Sequence, residues 1–179
     1  MFVRNAKIDE LSGAWVTMDI AHHEIHDGCF FMYHDVVTLN DTGIQDYLIT
    51  TGSESELTHI GHSIEATGPV TIEVYEATDK NAAGANEVTY NKNRTSPKDA
   101  QTIIAKGVAG GTTDGVRIVW FKGGISNNKT TNATIAGTQN EKILKPNTKY
   151  IYRITSGMDN NIISVALDWY ENTIINLKQ

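Results

Sequence analysis

The chain has 179 residues and a net charge of −6, and 40% of its residues are hydrophobic while 20% are charged. This length suits one domain, or one domain with arms, and allows a sizeable core to be buried. The basic residues are scattered, and because binding to nucleic acid requires clustered Lys and Arg, the composition argues against a nucleic-acid partner.

Composition also bears on membranes, redox environment and fold class. No run approaches the roughly 18 apolar residues of a membrane span, so no membrane partner is expected. Cys29 is the single cysteine, and residues 1–13 lack the layout of a secretory signal, so we expect synthesis in a reducing cytoplasm. The 15 Gly and the Asn/Thr-rich tracts favour strands and loops over helices.

The first part of the chain predicts an arm followed by a hairpin. Residues 1–13 carry apolar side chains too loosely spaced for an element and are predicted to form an N-terminal arm. Strand-like alternation begins after Gly13, and residues 20–39 are predicted to form a β-hairpin. Asp27 and Gly28 are expected at its turn, because Gly adopts positive φ without penalty.

Alternation of polar and apolar residues recurs along the rest of the chain. It predicts a strand at residues 45–51, a second hairpin from residues 58–66 and 70–74, and a C-terminal hairpin from residues 149–155 and 162–171. Residues 79–115 and 123–142 are predicted to be long loops, of a length that is usually functional or flexible. Residues 172–179 remain as a C-terminal tail.

These elements give eight to ten short strands without a convincing helix. We therefore predict an all-β protein whose residues 14–171 form a single antiparallel two-sheet β-sandwich of jelly-roll type, with N- and C-terminal arms. In the last strand, Trp169 alternates with Leu167, Val165 and Ile163, which predicts that all four side chains face the core.

The histidines and Cys29 are the first candidates for chemistry. On a strand, His22 and His26 would lie about 13 Å apart and could not share a metal ion. His59 and His62 would point to opposite faces. Cys29 follows a turn close to His26, but this proximity in sequence is not the geometry of a catalytic triad. No metal, cofactor or catalytic site is therefore predicted.

Acidic and aromatic residues are the remaining candidates. The spacing of Glu73 and Glu76, or of Asp19 and Glu24, does not distinguish paired catalytic carboxylates from solvated strand faces. Four aromatic side chains would suit a sugar-stacking platform if they were exposed, although aromatics at alternating strand positions are more often core residues. They are Tyr75, Trp120, Trp169 and Tyr170.

Three stretches carry a resemblance to a known family: residues 22–28 with the aromatic strand that follows, residues 144–155 and residues 165–171. They resemble tailed-bacteriophage virion structural proteins, the head decoration or auxiliary capsid proteins, over residues 14–78 and 140–173. The resemblance implies a β-sandwich bound to the outside of a capsid, with no catalytic residues to carry over.

The expected function is therefore non-enzymatic. On this hypothesis the protein is made in the cytoplasm of a bacterial host, resides on the capsid surface of the virion, and binds major capsid protein and copies of itself, as a trimer or another symmetric oligomer. The alternative is a carbohydrate- or receptor-binding module of a tail or fibre. Apolar residues in the two arms are expected to contact the capsid; they are Val3, Ile8, Leu11, Ile174, Ile175 and Leu177.

Overall fold

The structure is a computed structural model, and it describes residues 20–53, 56–123, 133–135 and 141–173. The predicted N-terminal arm and residues 14–19 lie outside the described residues. The apolar residues proposed for the tail, at positions 174, 175 and 177, also lie outside them. Residues 172 and 173, predicted to begin the tail, instead belong to the last strand.

The described part contains one short helix, α1 (Ile20–His26), and thirteen strands. The strands are β1 (Phe30–Leu39), β2 (Ile44–Thr50), β3 (Glu56–Ala66), β4 (Val70–Glu76), β5 (Asn81–Ala82), β6 (Tyr90–Asn91), β7 (Ile103–Lys106), β8 (Val108–Ala109), β9 (Val116–Gly123), β10 (Ala133–Ile135), β11 (Lys142–Leu144), β12 (Lys149–Ser156) and β13 (Asn161–Thr173).

Two antiparallel sheets pack face to face. The six-stranded sheet has the order β10-β3-β13-β1-β6, with β11 also paired to β3, and the five-stranded sheet has the order β7-β2-β12-β4-β9. The pairing is nested: β1 pairs with β13, β2 with β12, β3 with β10 and β11, and β4 with β9. This nested order is that of a rolled-up antiparallel ribbon, so the predicted all-β jelly-roll sandwich is confirmed.

The three predicted hairpins are wrong. Residues 58–66 belong to β3 in one sheet, whereas residues 70–74 belong to β4 in the other, and β12 and β13 are separated in the same way. The connections from β3 to β4 and from β12 to β13 therefore cross from one sheet to the other. Alternation specifies which face of a strand is buried, but it carries no information about the partner strand.

Residues 20–26, predicted to be one arm of the first hairpin, form α1 instead. The helix ends in a Schellman motif. The amide of Gly28 donates to the carbonyl of Ile25 (3.1 Å), and the amide of Cys29 donates to the carbonyl of Glu24 (2.9 Å). Gly28 has a φ of 69°, as the residue after a helix often does. Asp27 and Gly28 thus form a turn, but one that caps a helix.

The segment around residues 91–98 satisfies the carbonyl groups at this helix end. The side-chain amide of Asn91 donates to Gly28 (2.8 Å), and the Lys98 ammonium donates to the carbonyl of Asp27 (2.8 Å). A helix terminus needs such partners for its last carbonyl groups. These partners are distant in sequence, so a local pattern could not reveal them.

Replacing Gly28 by Val is expected to destabilise the protein by about 1–3 kcal/mol, because a β-branched residue is strained at positive φ. A Cβ atom at this position would also clash with the Ser96 side chain. The control is Gly84→Val, at a glycine where an added Cβ would have no heavy atom within 4 Å. Equal melting temperatures for the two variants would contradict the cap.

The core lies between the sheets and confirms the predicted inward face of β13. Ile163, Val165, Leu167 and Trp169 are all buried. They pack against aliphatic and tyrosine side chains of the facing sheet, including Tyr47, Ile72 and Tyr152. From Asn161 to Trp169, buried positions of β13 alternate with more exposed ones, which reflects the pleat of the strand; Tyr170 and Glu171 are buried as well.

His62 points into this core, with its ring edge-on to that of Tyr152 at a centroid distance of 5.7 Å. Its Nδ1 atom is buried without a hydrogen-bond partner among the described residues. Burial, aided by the nearby Lys142 ammonium, lowers the pKa of His62 to about 4. The unfolded chain, in which a histidine has a pKa of about 6.5, therefore binds this proton more readily than the folded protein does.

The free energy of unfolding is consequently expected to fall as the pH decreases from about 6.5 to about 4, since in this window His62 gains a proton only in the unfolded state. His62→Leu should remove most of that dependence. Urea unfolding at several pH values between these limits measures the effect, with His34→Leu, a variant of an exposed histidine on β1, as the control. An equally steep pH dependence in wild type and His62→Leu would refute this origin.

The segment of residues 79–115, predicted to be a long loop, contains β5, β6, β7 and β8 and joins both sheets. Its β6 strand extends the edge of the six-stranded sheet, and β7 extends the edge of the five-stranded sheet. The Glu171 carboxylate accepts hydrogen bonds from the backbone amides of Gln101 and Thr102 (2.9 and 2.7 Å). The segment therefore closes one side of the sandwich.

Candidate functional site

Strand β9 forms one edge of the five-stranded sheet and exposes unusually many apolar side chains. Val116, Ile118, Trp120 and Phe121 are 67%, 44%, 56% and 44% exposed; we call these four residues the β9 surface. β9 pairs with β4 on one side, and no other described strand pairs with its other side. Within the described part of the chain, β10 lies close to β9 but does not pair with it, so the outer backbone groups of β9 have no strand partner there.

The other sheet edges within the described residues are short or covered. β6, β10 and β7 have two, three and four residues, whereas β9 has eight. The free side of β7 is covered by Asn86 and Glu87, and the Glu87 amide donates to the carbonyl of Ile104 (2.8 Å). Because proteins generally shorten or protect such edges against association, the long apolar edge of β9 is a candidate interaction surface.

Basic side chains flank the β9 surface. The Lys122 ammonium lies 5.5 Å from the centre of the Trp120 ring. The Arg117 guanidinium donates to Glu73 Oε1 (2.7 Å) on β4, and this bond raises the pKa of Arg117 above its ordinary value. Lys122 thus lies over part of the β9 surface and Arg117 beside it, and charged groups of this kind are typical of the polar rim of a protein interface.

A second feature lies on the outer face of the six-stranded sheet. A cavity of about 300 Å³ opens beside a row of rings from adjacent strands: Phe30 on β1, Tyr170 on β13 and His59 on β3. His59 stacks on Tyr170 at 4.5 Å, and Phe30 lies 5.8 Å from Tyr170. Gly61 on β3 leaves open space beside these rings. A Cβ atom added to Gly61 would have the Asp168 carbonyl oxygen, 3.9 Å away, as its nearest heavy atom.

Charged groups of both signs surround this cavity. The Lys92 ammonium lies 3.0 Å from Asp168 Oδ2 and 4.3 Å above the Phe30 ring. Glu141 Oε1 accepts a hydrogen bond from the Tyr170 hydroxyl (2.7 Å) and lies 2.8 Å from His59 Nδ1. A second cavity of about 320 Å³ continues along the same face toward His34 and shares Ser63 with the first.

The four aromatic residues considered as a sugar platform are not brought together. Trp169 is fully buried in the core, and Trp120 is exposed on β9. Tyr75 lies on the outer face of the five-stranded sheet under the Arg153 guanidinium, 5.4 Å away. Of the four, only Tyr170 lines the cavity on the six-stranded sheet.

The expected 13 Å separation of His22 and His26 is wrong, because the two residues lie on a helix and not on a strand. Their Nε2 atoms are 3.0 Å apart. Among the described residues there is no group of three or more His, Cys, Asp or Glu side chains suited to hold a metal ion. His59 and His62 do point to opposite faces of β3, as predicted.

The other candidates for chemistry make structural contacts. Cys29 is half-buried, and its Sγ atom accepts a hydrogen bond from the Lys98 ammonium (3.3 Å). Glu73 binds Arg117, and Glu76 binds Lys145, which lowers the pKa of Glu76. Both carboxylates are thus engaged in ion pairs on the sheet surface.

No protein-family model, no curated protein and no solved structure matches this chain. No helix in the described part of the chain has the length and apolar character needed to cross a membrane.

Proposed function

We propose that the protein is a non-enzymatic structural protein of a bacteriophage virion, which decorates the outside of the capsid by binding major capsid protein through the β9 surface. The long apolar edge of β9 is the observation that carries this proposal. A partner strand added to this edge would pair with the backbone groups of β9 that have no strand partner among the described residues, and it would bury the apolar side chains of β9.

Two further considerations support the same function. The jelly-roll architecture is common in viral capsid proteins, although the fold by itself does not determine function. The sequence stretches at residues 144–155 and 165–171, on which the family resemblance rests, form β12 and β13 in the middle of the two sheets. In this proposal the rigid sandwich presents β9, and the apolar residues of the two arms add contacts to the shell.

The proposal is tested by sedimentation with phage heads that lack the protein. Wild-type protein is expected to sediment with the heads, whereas Ile118→Lys should bind at least about tenfold more weakly, since a charge would be buried in the interface. The matched control is Ile162→Lys, which places the same charge at an apolar residue on the six-stranded sheet with similar exposure (49% against 44%). Equal binding by Ile118→Lys and wild type would refute the role of β9.

A further inference from the structure

We propose that the outer face of the six-stranded sheet binds a neutral oligosaccharide, with one sugar unit in the cavity over Gly61 and the next over Ser63. The site lies on a different sheet from β9. This inference therefore does not depend on attachment to a capsid, and a protein attached by β9 could still hold a glycan.

The size and shape of the face favour a chain of sugar units. The two cavities, of about 300 and 320 Å³, share Ser63 and follow β3 and β13 along the sheet. Each is at the lower end of the volume range of small-molecule sites. Two neighbouring cavities of this size suit two linked units better than one large, flat ligand.

The lining also suits the two sides of a sugar ring. Phe30 and Tyr170 are buried, and Lys92 and His59 cover their ring faces, so only the small exposed parts of the two rings provide apolar contact for the C–H groups of a sugar. Lys92 provides a hydrogen-bond donor, while Asp168 and Glu141 provide acceptors. Hydroxyl groups both donate and accept, so a polyol can use all three of these side chains at once.

Charge selects among sugars. The first cavity has two carboxylates, Asp168 and Glu141, against one ammonium, Lys92. The second is lined by Glu65 without any Lys or Arg among its described lining residues, and its other carboxylate, Asp35, is bound by Lys106 and Tyr47 of the facing sheet. An anionic unit such as a uronic or sialic acid would therefore face net repulsion, so the class of ligand is a neutral hexose or N-acetylhexosamine.

Gly61 makes this cavity possible and also provides the test. Its position opposite Asp168 on β13 leaves open space that any larger side chain would occupy. Gly61→Leu should fill the cavity without a clash at Cβ. Gly84→Leu is the matched control, because this glycine lies outside both cavities and an added Cβ there would have no heavy atom within 4 Å.

The experiment is saturation-transfer NMR followed by titration calorimetry on the free protein. The probes are glucose, galactose, mannose and N-acetylglucosamine, their β-linked and α-linked disaccharides, and glucuronic and N-acetylneuraminic acids as anionic counterparts. We expect saturation transfer to at least one neutral sugar, tighter binding of its disaccharide, and none to the anionic sugars. Gly61→Leu should weaken binding by about tenfold or more, and Gly84→Leu should leave it unchanged.

Asp168→Asn is the second variant, which keeps the size of the side chain and removes one negative charge. It should weaken binding of the neutral sugar and allow some binding of the anionic sugars. Both effects can be measured even if Gly61→Leu does not fold. Absence of transfer to every neutral sugar, equal transfer to anionic sugars in the wild type, or undiminished binding by a folded Gly61→Leu would overturn the proposal. None of these outcomes would affect the sedimentation test of β9.

Discussion

Replacing Trp169 by Ala is expected to lower the free energy of unfolding by about 3–5 kcal/mol, the range for truncating a large buried aromatic residue. Trp169 is fully buried, and its ring lies 5.9 Å from that of Phe31. Its Nε1 donates to Glu171 Oε1 (3.1 Å), the same oxygen that accepts the amide of Thr102. The variant would therefore lose packing in the core and also loosen the contact with the segment that closes the sandwich.

Trp120→Ala is the matched control, because it makes the same substitution at a side chain that is 56% exposed. Denaturant unfolding of the two variants should show a large loss for Trp169→Ala and a small one for Trp120→Ala. A larger loss of stability for Trp120→Ala than for Trp169→Ala would mean that β9 is part of the core and that β13 faces a ligand.

Replacing Arg153 by Met is expected to cost about 3 kcal/mol, because it leaves the Asp46 carboxylate on the outer face of the five-stranded sheet without its cation and leaves Asp114 with Lys80 alone. The guanidinium donates to both oxygens of Asp46 (2.8 and 2.9 Å) and to Asp114 (2.7 Å). These bonds raise the pKa of Arg153 above its ordinary value, and Arg153 together with Lys80 lowers the pKa of Asp114. Asp114 belongs to the segment of residues 79–115, so the network fastens that segment to β12.

Arg117→Met is the control for this variant. Arg117 also pairs with a carboxylate on the five-stranded sheet, but its side chain is 51% exposed, and exposed ion pairs contribute little. Amide hydrogen exchange would separate two effects of Arg153→Met, since loosening of the segment should speed exchange at residues 79–115 more than in β13. Similar stability of Arg153→Met and Arg117→Met would contradict a structural role for the network.

The sequence was sufficient to predict most of the long strands and their buried faces. The alternation of Ile163, Val165, Leu167 and Trp169 placed these side chains in the core, because the pleat of a strand turns alternate residues to one side. The pairing of strands could not be predicted in this way. β3 and β4 are separated by a short turn at Gly68 and Pro69, which suits either a hairpin or a crossing between sheets, and the structure has the crossing.

Helix α1 could not be predicted for a related reason. The pair Asp27 and Gly28 fits both a hairpin turn and a helix cap, since each requires positive φ at the glycine. What decides between them is tertiary: Asn91 and Lys98 bind the carbonyl groups at the end of the helix. Only the fold brings these residues to residues 27 and 28.

The two candidate surfaces differ in how far the sequence could reveal them. Residues 116–121 are rich in apolar, strand-forming residues, but the position of this strand at an edge depends on the nested strand order. The cavity over Gly61 depends on residues of β1, β3 and β13, with Lys92 and Glu141 from distant segments. The nearest local signal was Gly61 itself, a glycine in the interior of a strand, which often marks a close approach by a ligand or another chain.

Electron cryo-microscopy of phage heads with and without the protein tests the proposed function most directly. The proposal predicts additional density on the outer surface of the shell, into which the jelly-roll sandwich fits with β9 against major capsid protein and the outer face of the six-stranded sheet away from the shell. Heads that carry no such density at saturating protein, or density in which β9 faces solvent, would contradict it.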